Sequence, residues 1–186
     1  FGSLVMCGLF LLGLFFFGQE DKAVLFFALF CLAHSYRMIG AGEYQLHSLV
    51  PGLSFFWAVK LEYWSLILSL TLIWEFVYRN FPDFINTKFL RFVEWTTGLL
   101  CLAVLVLPLS LFSYSLYYIF PMIFISILYG FFALLGALNA SGKEVLYLSV
   151  GLFGILVVAI LTVGENLGLW NDIQVWIFLA YLFFLF

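Results

Sequence analysis

Charge is what this sequence has least of. Only 9% of its 186 residues are Asp, Glu, Lys or Arg, where soluble domains carry roughly 25%. The 7 Lys and Arg are scattered and form no basic run, which excludes a nucleic-acid footprint. Cysteine is scarce as well. Cys7, Cys31 and Cys101 each stand inside an apolar run, with no C-x-x-C spacing and no adjacent histidine pair. They read as buried, inert thiols, neither disulfide nor metal ligands. His34 and His47 lie thirteen apart, one in a helical run and one in a loop, which is a weak metal pattern. There is no G-x-S-x-G, no H-E-x-x-H and no phosphate loop, and the last apolar run holds no lysine for a Schiff base. No enzyme, cofactor or metal site is expected of this stretch. A basic flank before an apolar N-terminal run is missing too, so no signal peptide is read. Both ends are expected to cut through helices, as in the membrane portion of a longer protein.

What fills the sequence is apolar surface: 66% hydrophobic residues, with aromatics alone at 22%. A spanning helix needs about 20 mostly apolar residues. Seven such segments are expected, near 1–17, 23–39, 55–78, 92–112, 116–138, 145–163 and 173–186. The fold class expected is an all-α membrane protein, a bundle of seven transmembrane helices forming a single domain. The runs are continuously apolar, not alternating, which argues against a β-barrel. No internal repeat supports an inverted-repeat transporter. Lys22, Arg79, Lys88, Arg91 and Lys143 fall in alternate loops, whereas Arg37 and Lys60 lie at helix ends on the opposite side. The positive-inside rule then places the N-terminus outside and the C-terminus inside. On that orientation Trp57, Trp170 and Trp176 sit near the outer surface, and Trp74 and Trp95 near the inner one.

The few charges within the runs sort by depth. Glu75 and Arg79 are four apart, and Arg91 and Glu94 three apart, spacings that put each pair on one helix face. They read as ion pairs anchoring the inner helix ends. At the outer side His34 and Arg37 share a face of the second helix. Arg37 and Lys60 are each within reach of the headgroups by snorkelling. Glu62 is different: it sits about 10 Å along the third helix and faces away from Lys60. A carboxylate at that depth needs a partner or a proton, and Arg37 or His34 is the nearest candidate. The expected polar network is Glu62, Arg37, His34, Lys60 and Glu165, with Glu43 and His47 in the loop above. A structural helix–helix clamp, a signal-coupling or ligand-contacting site, and a catalytic or metal role all remain open for it.

The order of features resembles the membrane domain of the bacterial seven-transmembrane receptors with diverse intracellular signalling modules. The resemblance rests on the small-residue-rich first helix ending F-F-F-G-Q-E-D-K and on A-V-L-F-F-A-L-F opening the second. It continues in H-S-Y-R, G-A-G-E-Y, L-E-Y-W and G-E-N-L-G-L. It implies a receptor in the bacterial inner membrane that relays an extracytoplasmic signal to a cytoplasmic output module. It further implies a periplasmic sensor domain ahead of this segment, an output module after it, and a homodimer. Two other readings fit the same composition: a small-molecule transporter or channel subunit, and a membrane anchor or scaffold of a larger complex.

Overall fold

The computed structural model describes residues 2–18, 21–40, 54–112, 114 and 116–141, together with 146, 150–151, 153–154 and 157. The chain divides into two units, Phe1–Ser115 and Leu116–Phe186, each taken by itself below. Every regular element among the described residues is helical. The first unit holds α1 (Gly2–Phe17), α2 (Lys22–Gly40), α3 (Phe55–Asn80), α4 (Thr87–Val106) and the single-turn α5 (Leu109–Phe112); the second holds α6 (Leu116–Ser141). The expected sixth and seventh segments, 145–163 and 173–186, lie outside the described residues, apart from the few positions named above in the former.

Local chemistry sets the helix ends. Asp21 caps α2, its Oδ1 accepting the Ala23 N–H at 2.8 Å, one of the donors a helix start leaves unmatched. Asn86 does the same for α4, taking the Lys88 N–H at 2.9 Å. This cap corrects the expected start at Phe92: α4 begins at Thr87, and Lys88 and Arg91 belong to its first turns and not to a loop. Its end is corrected too. Leu107 is extended, with φ −76° and ψ 147°, because proline at 108 has no N–H and disfavours helical backbone in the residue before it. The span thus stops at Val106, and 109–112 is a separate turn. The whole α3–α4 connection is the tight segment 81–86.

Packing follows chain order. α2 lies between α1 and α3, and α3 between α2 and α4. Gly8 brings α1 against α2: a Cβ at that position would stand 2.8 Å from Leu32 Cγ and 3.1 Å from the Ala28 carbonyl oxygen. Small residues at helix contacts are what hydrocarbon favours, since lipid tails give apolar side chains no preference for protein. On α4, Phe92, Trp95, Leu99, Leu102 and Val106 recur every three or four residues and are all exposed, a stripe suited to hydrocarbon. α3 and α4 are both long and apolar enough to cross a bilayer. Trp95 and Trp57 are open to the surroundings, whereas Trp74 is packed inside the helices. It is 3% exposed and meets the Phe89 ring edge-on at 4.9 Å.

In the second unit α6 buries Ile119, Ser126 and Ile127 and exposes Tyr117, Tyr118, Ile125 and Phe132. Pro121 stands within its second turn. The rings of Phe131 and Phe153 lie 5.7 Å apart.

Candidate functional site

α3 carries charge on two faces, and each face meets a different neighbour. Toward α2, Glu62 Oε1 lies 3.6 Å from Arg37 Nη1, with the two side chains 17% and 19% exposed. One turn earlier on the same face, the Tyr36 hydroxyl donates to the Ala58 carbonyl at 3.5 Å. One turn later Ser65 donates back to the Glu62 carbonyl at 2.7 Å, and Ser69 donates to the Ser65 carbonyl. Arg37 is in the last turn of α2, so the pair fastens that helix end to α3. Placing two charges in an apolar bundle is costly unless each neutralises the other, which is why they are found together. His34, three residues before Arg37, lies flat against Phe30, with ring centroids 5.5 Å apart.

Lys60 is two residues from Glu62 and therefore points about 200° away around the helix. The structure corrects the snorkelling expectation for it. Lys60 is 6% exposed; its Nζ donates to the Leu105 carbonyl at 2.8 Å and sits 4.5 Å over the Phe56 ring. The reason is the break at Pro108. Leu105 is among the last residues of α4, where carbonyls lack an intrahelical donor and the helix dipole is negative. An ammonium from the neighbouring helix satisfies both needs. Arg37, for which both snorkelling and a pairing with Glu62 were expected, is engaged by Glu62. Glu165, Glu43 and His47 lie outside the described residues.

Lys60 opens a seam that sequence reasoning missed. Below it Trp64 Nε1 donates to the Cys101 carbonyl at 3.0 Å, and the Thr71 hydroxyl donates to that of Thr97 at 2.7 Å. Near the turn Glu94 of α4 lies close enough to Glu75 of α3 for the two carboxyl groups to act on one another. On α3 these positions advance by four, seven and four residues; on α4 they descend through 105, 101, 97 and 94, as antiparallel neighbours must. That spacing was the available signal. It was obscured because Trp and Thr read as ordinary apolar-run residues. Glu75 also accepts from Arg79, as expected, through Nε and Nη2, each 3.0 Å from Oε2. Arg79 lies in turn over the Phe26 ring of α2, 4.6 Å from its centroid. Glu94, expected to pair with Arg91 on its own helix, is within the influence of Glu75 on α3 as well.

The thiols are free, as expected, with Cys31 buried and Cys7 and Cys101 half-buried. The Cys31 thiol meets that of Cys7 across α1 and α2. Among the described residues no group of three or more His, Cys, Asp or Glu could hold a metal ion.

An apolar outer surface over helices fastened by internal polar seams is the construction of a helical membrane protein, in which every backbone group is satisfied within its own segment. The family described as 7TM diverse intracellular signalling matches residues 1–186, and the chain belongs to it. It is therefore a membrane domain of receptor type, sensory and signalling in character. No curated protein and no solved structure matches the chain.

Proposed function

We propose that this domain relays an extracytoplasmic signal to a cytoplasmic output module, through a seven-helix bundle with its N-terminus outside and its C-terminus inside the bacterial inner membrane. A periplasmic sensor and the output module belong to the same chain in this reading, and two copies act as a pair. The observation that carries it is the Arg37–Glu62 bridge between the end of α2 and the body of α3. The segment after α2 is an outer loop in this topology, and this contact ties the helix end that enters the loop to the body of α3, so a load applied there acts on both helices together. His34 and Glu165 complete the proposed network, and Lys60 passes the displacement of α3 on to α4. The magnitudes limit what one contact does. Moving a two-state bundle from 1:99 to 99:1 takes about 5.5 kcal/mol, whereas interhelical polar contacts in membranes average about 0.6 kcal/mol and reach about 1.7. The bridge biases the equilibrium as one contribution among several.

The test uses the full-length receptor in membranes, with basal activity of the output module as readout and membrane abundance as control. Arg37→Ala and Glu62→Gln should each shift basal output at unchanged abundance. The exchange Arg37→Glu with Glu62→Arg should return it toward the original level. Unaltered output in both single variants would refute the coupling role.

A further inference from the structure

The exposed stripe that runs along α4 from Val106 to Phe92 continues into the first turns as Arg91 and Lys88, which are exposed too. At about 100° per residue all of these positions fall within one arc about 100° wide, opposite the buried residues Leu90, Val93, Thr97 and Val104. The arc is open. Trp95 is 74% exposed, and a Cβ added at Gly98, on its edge, would meet nothing within 4 Å among the described residues. The charges at this end of the hairpin sort by face. Arg79 is held by Glu75 on α3, and Asp83 stands in the turn. Glu94, on which the Arg91 charge acts, lies about 60° outside the arc, on the side toward α3. Within the arc the charges are Lys88 and Arg91, both positive, and neither enters a described ion pair.

The 20 residues of α4, at about 1.5 Å each, match a hydrocarbon layer about 30 Å thick. Lys88 and Arg91 therefore reach headgroup level, extending their stems to it, while Trp95 stands about 10 Å further along the helix, beside acyl chains. We propose that Lys88 and Arg91 bind the phosphate of an anionic phospholipid whose acyl chains lie along Trp95, Leu99 and Leu102. Arg91 offers the phosphate oxygens a planar fork of donors, and Lys88 a point charge. Charge selects this occupant. A second copy meeting the same face about a two-fold axis would set each cation against its own equivalents, which repels. A zwitterionic lipid brings an ammonium of its own. An anionic headgroup neutralises both side chains.

The test uses the full chain in phosphatidylcholine bilayers containing phosphatidylglycerol, with the acyl chains of one lipid at a time brominated to quench nearby tryptophan fluorescence. The difference between the unsubstituted protein and Trp95→Phe isolates the Trp95 signal. Brominated phosphatidylglycerol should quench Trp95 at a lower mole fraction than brominated phosphatidylcholine, by up to about 5-fold for each cation. Lys88→Gln and Arg91→Gln should each lower that preference, and the double substitution should remove it. Added salt should shrink it in the unsubstituted protein, a measurement that needs no variant at the two cations. Signalling enters none of these readouts. Equal quenching by both lipids in the unsubstituted protein, or a preference that survives the double substitution, would overturn the proposal. So would a Trp95 that neither lipid quenches, the mark of a second copy on this face.

Discussion

Two glycines of α1 offer a controlled measurement of how closely α1 and α2 approach. At Gly8 an added Cβ would stand 2.8 Å from Leu32 Cγ, 3.0 Å from Leu32 Cδ2 and 3.1 Å from the Ala28 carbonyl oxygen. Leu32 has rotamers to try, but the Ala28 carbonyl is backbone within a helix and moves only if the helices part. At Gly13, five residues on, a Cβ meets nothing within 4 Å among the described residues. Gly→Ala raises intrinsic helix preference by about 1 kcal/mol at either site, and that gain cancels when the two variants are compared. What remains is the overpacking at Gly8, about 1–3 kcal/mol. For a chain of this length 1 kcal/mol moves Tm by about 2–4 °C, so Gly8→Ala should melt roughly 2–12 °C below Gly13→Ala in the same detergent. Gly13→Ala should equal or exceed the unsubstituted protein. Thermal unfolding followed by circular dichroism on purified protein gives the comparison directly. Equal shifts, or a lower Tm for Gly13→Ala, would mean that α1 and α2 are not in contact at Gly8 as described.

Lys60→Met should loosen the last turn of α4, read as faster hydrogen exchange at the Leu107 amide, which bonds the Ala103 carbonyl at 2.9 Å. The global Tm should move little, because losing a charged hydrogen bond of about 1.5–3 kcal/mol is offset by no longer burying an ammonium; unchanged exchange at that amide would count against the capping role. A double-mutant cycle on Thr71→Val and Thr97→Val should give a coupling near 0.6 kcal/mol and below about 1.7. A coupling of zero would show that the 2.7 Å contact holds nothing.

Helix existence was legible because an apolar run of about 20 residues has few other uses. The meeting of Glu62 with Arg37 was legible for a related reason: helical periodicity turned Glu62 away from Lys60 and toward a neighbour. Lys60 itself was misread, since depth along one helix cannot reveal that another helix ends beside it. Pro108 was visible, but that the carbonyl it leaves open lies next to Lys60 is a tertiary fact. The start of α4 was misplaced by treating Lys88 and Arg91 as loop charges, although Asn86 is a good cap in sequence as well as in structure. Glu94 shows the same limit. Spacing along one helix favoured Arg91, and the antiparallel register of α4 on α3 adds Glu75.

The α3–α4 hairpin has arms of unequal reach. α3, with 26 residues, is about 39 Å long at about 1.5 Å per residue, and α4, with 20, about 30 Å. A hydrocarbon layer about 30 Å thick fits the shorter arm standing upright, while the surplus of the longer one emerges from it. The rungs from Thr71 to Lys60 keep the arms side by side, so neither leans without the other. Lipid thickness therefore meets the hairpin as a single strut. A change in it is taken up at the free end of α3 beyond Lys60, which a thicker layer covers and a thinner one leaves bare.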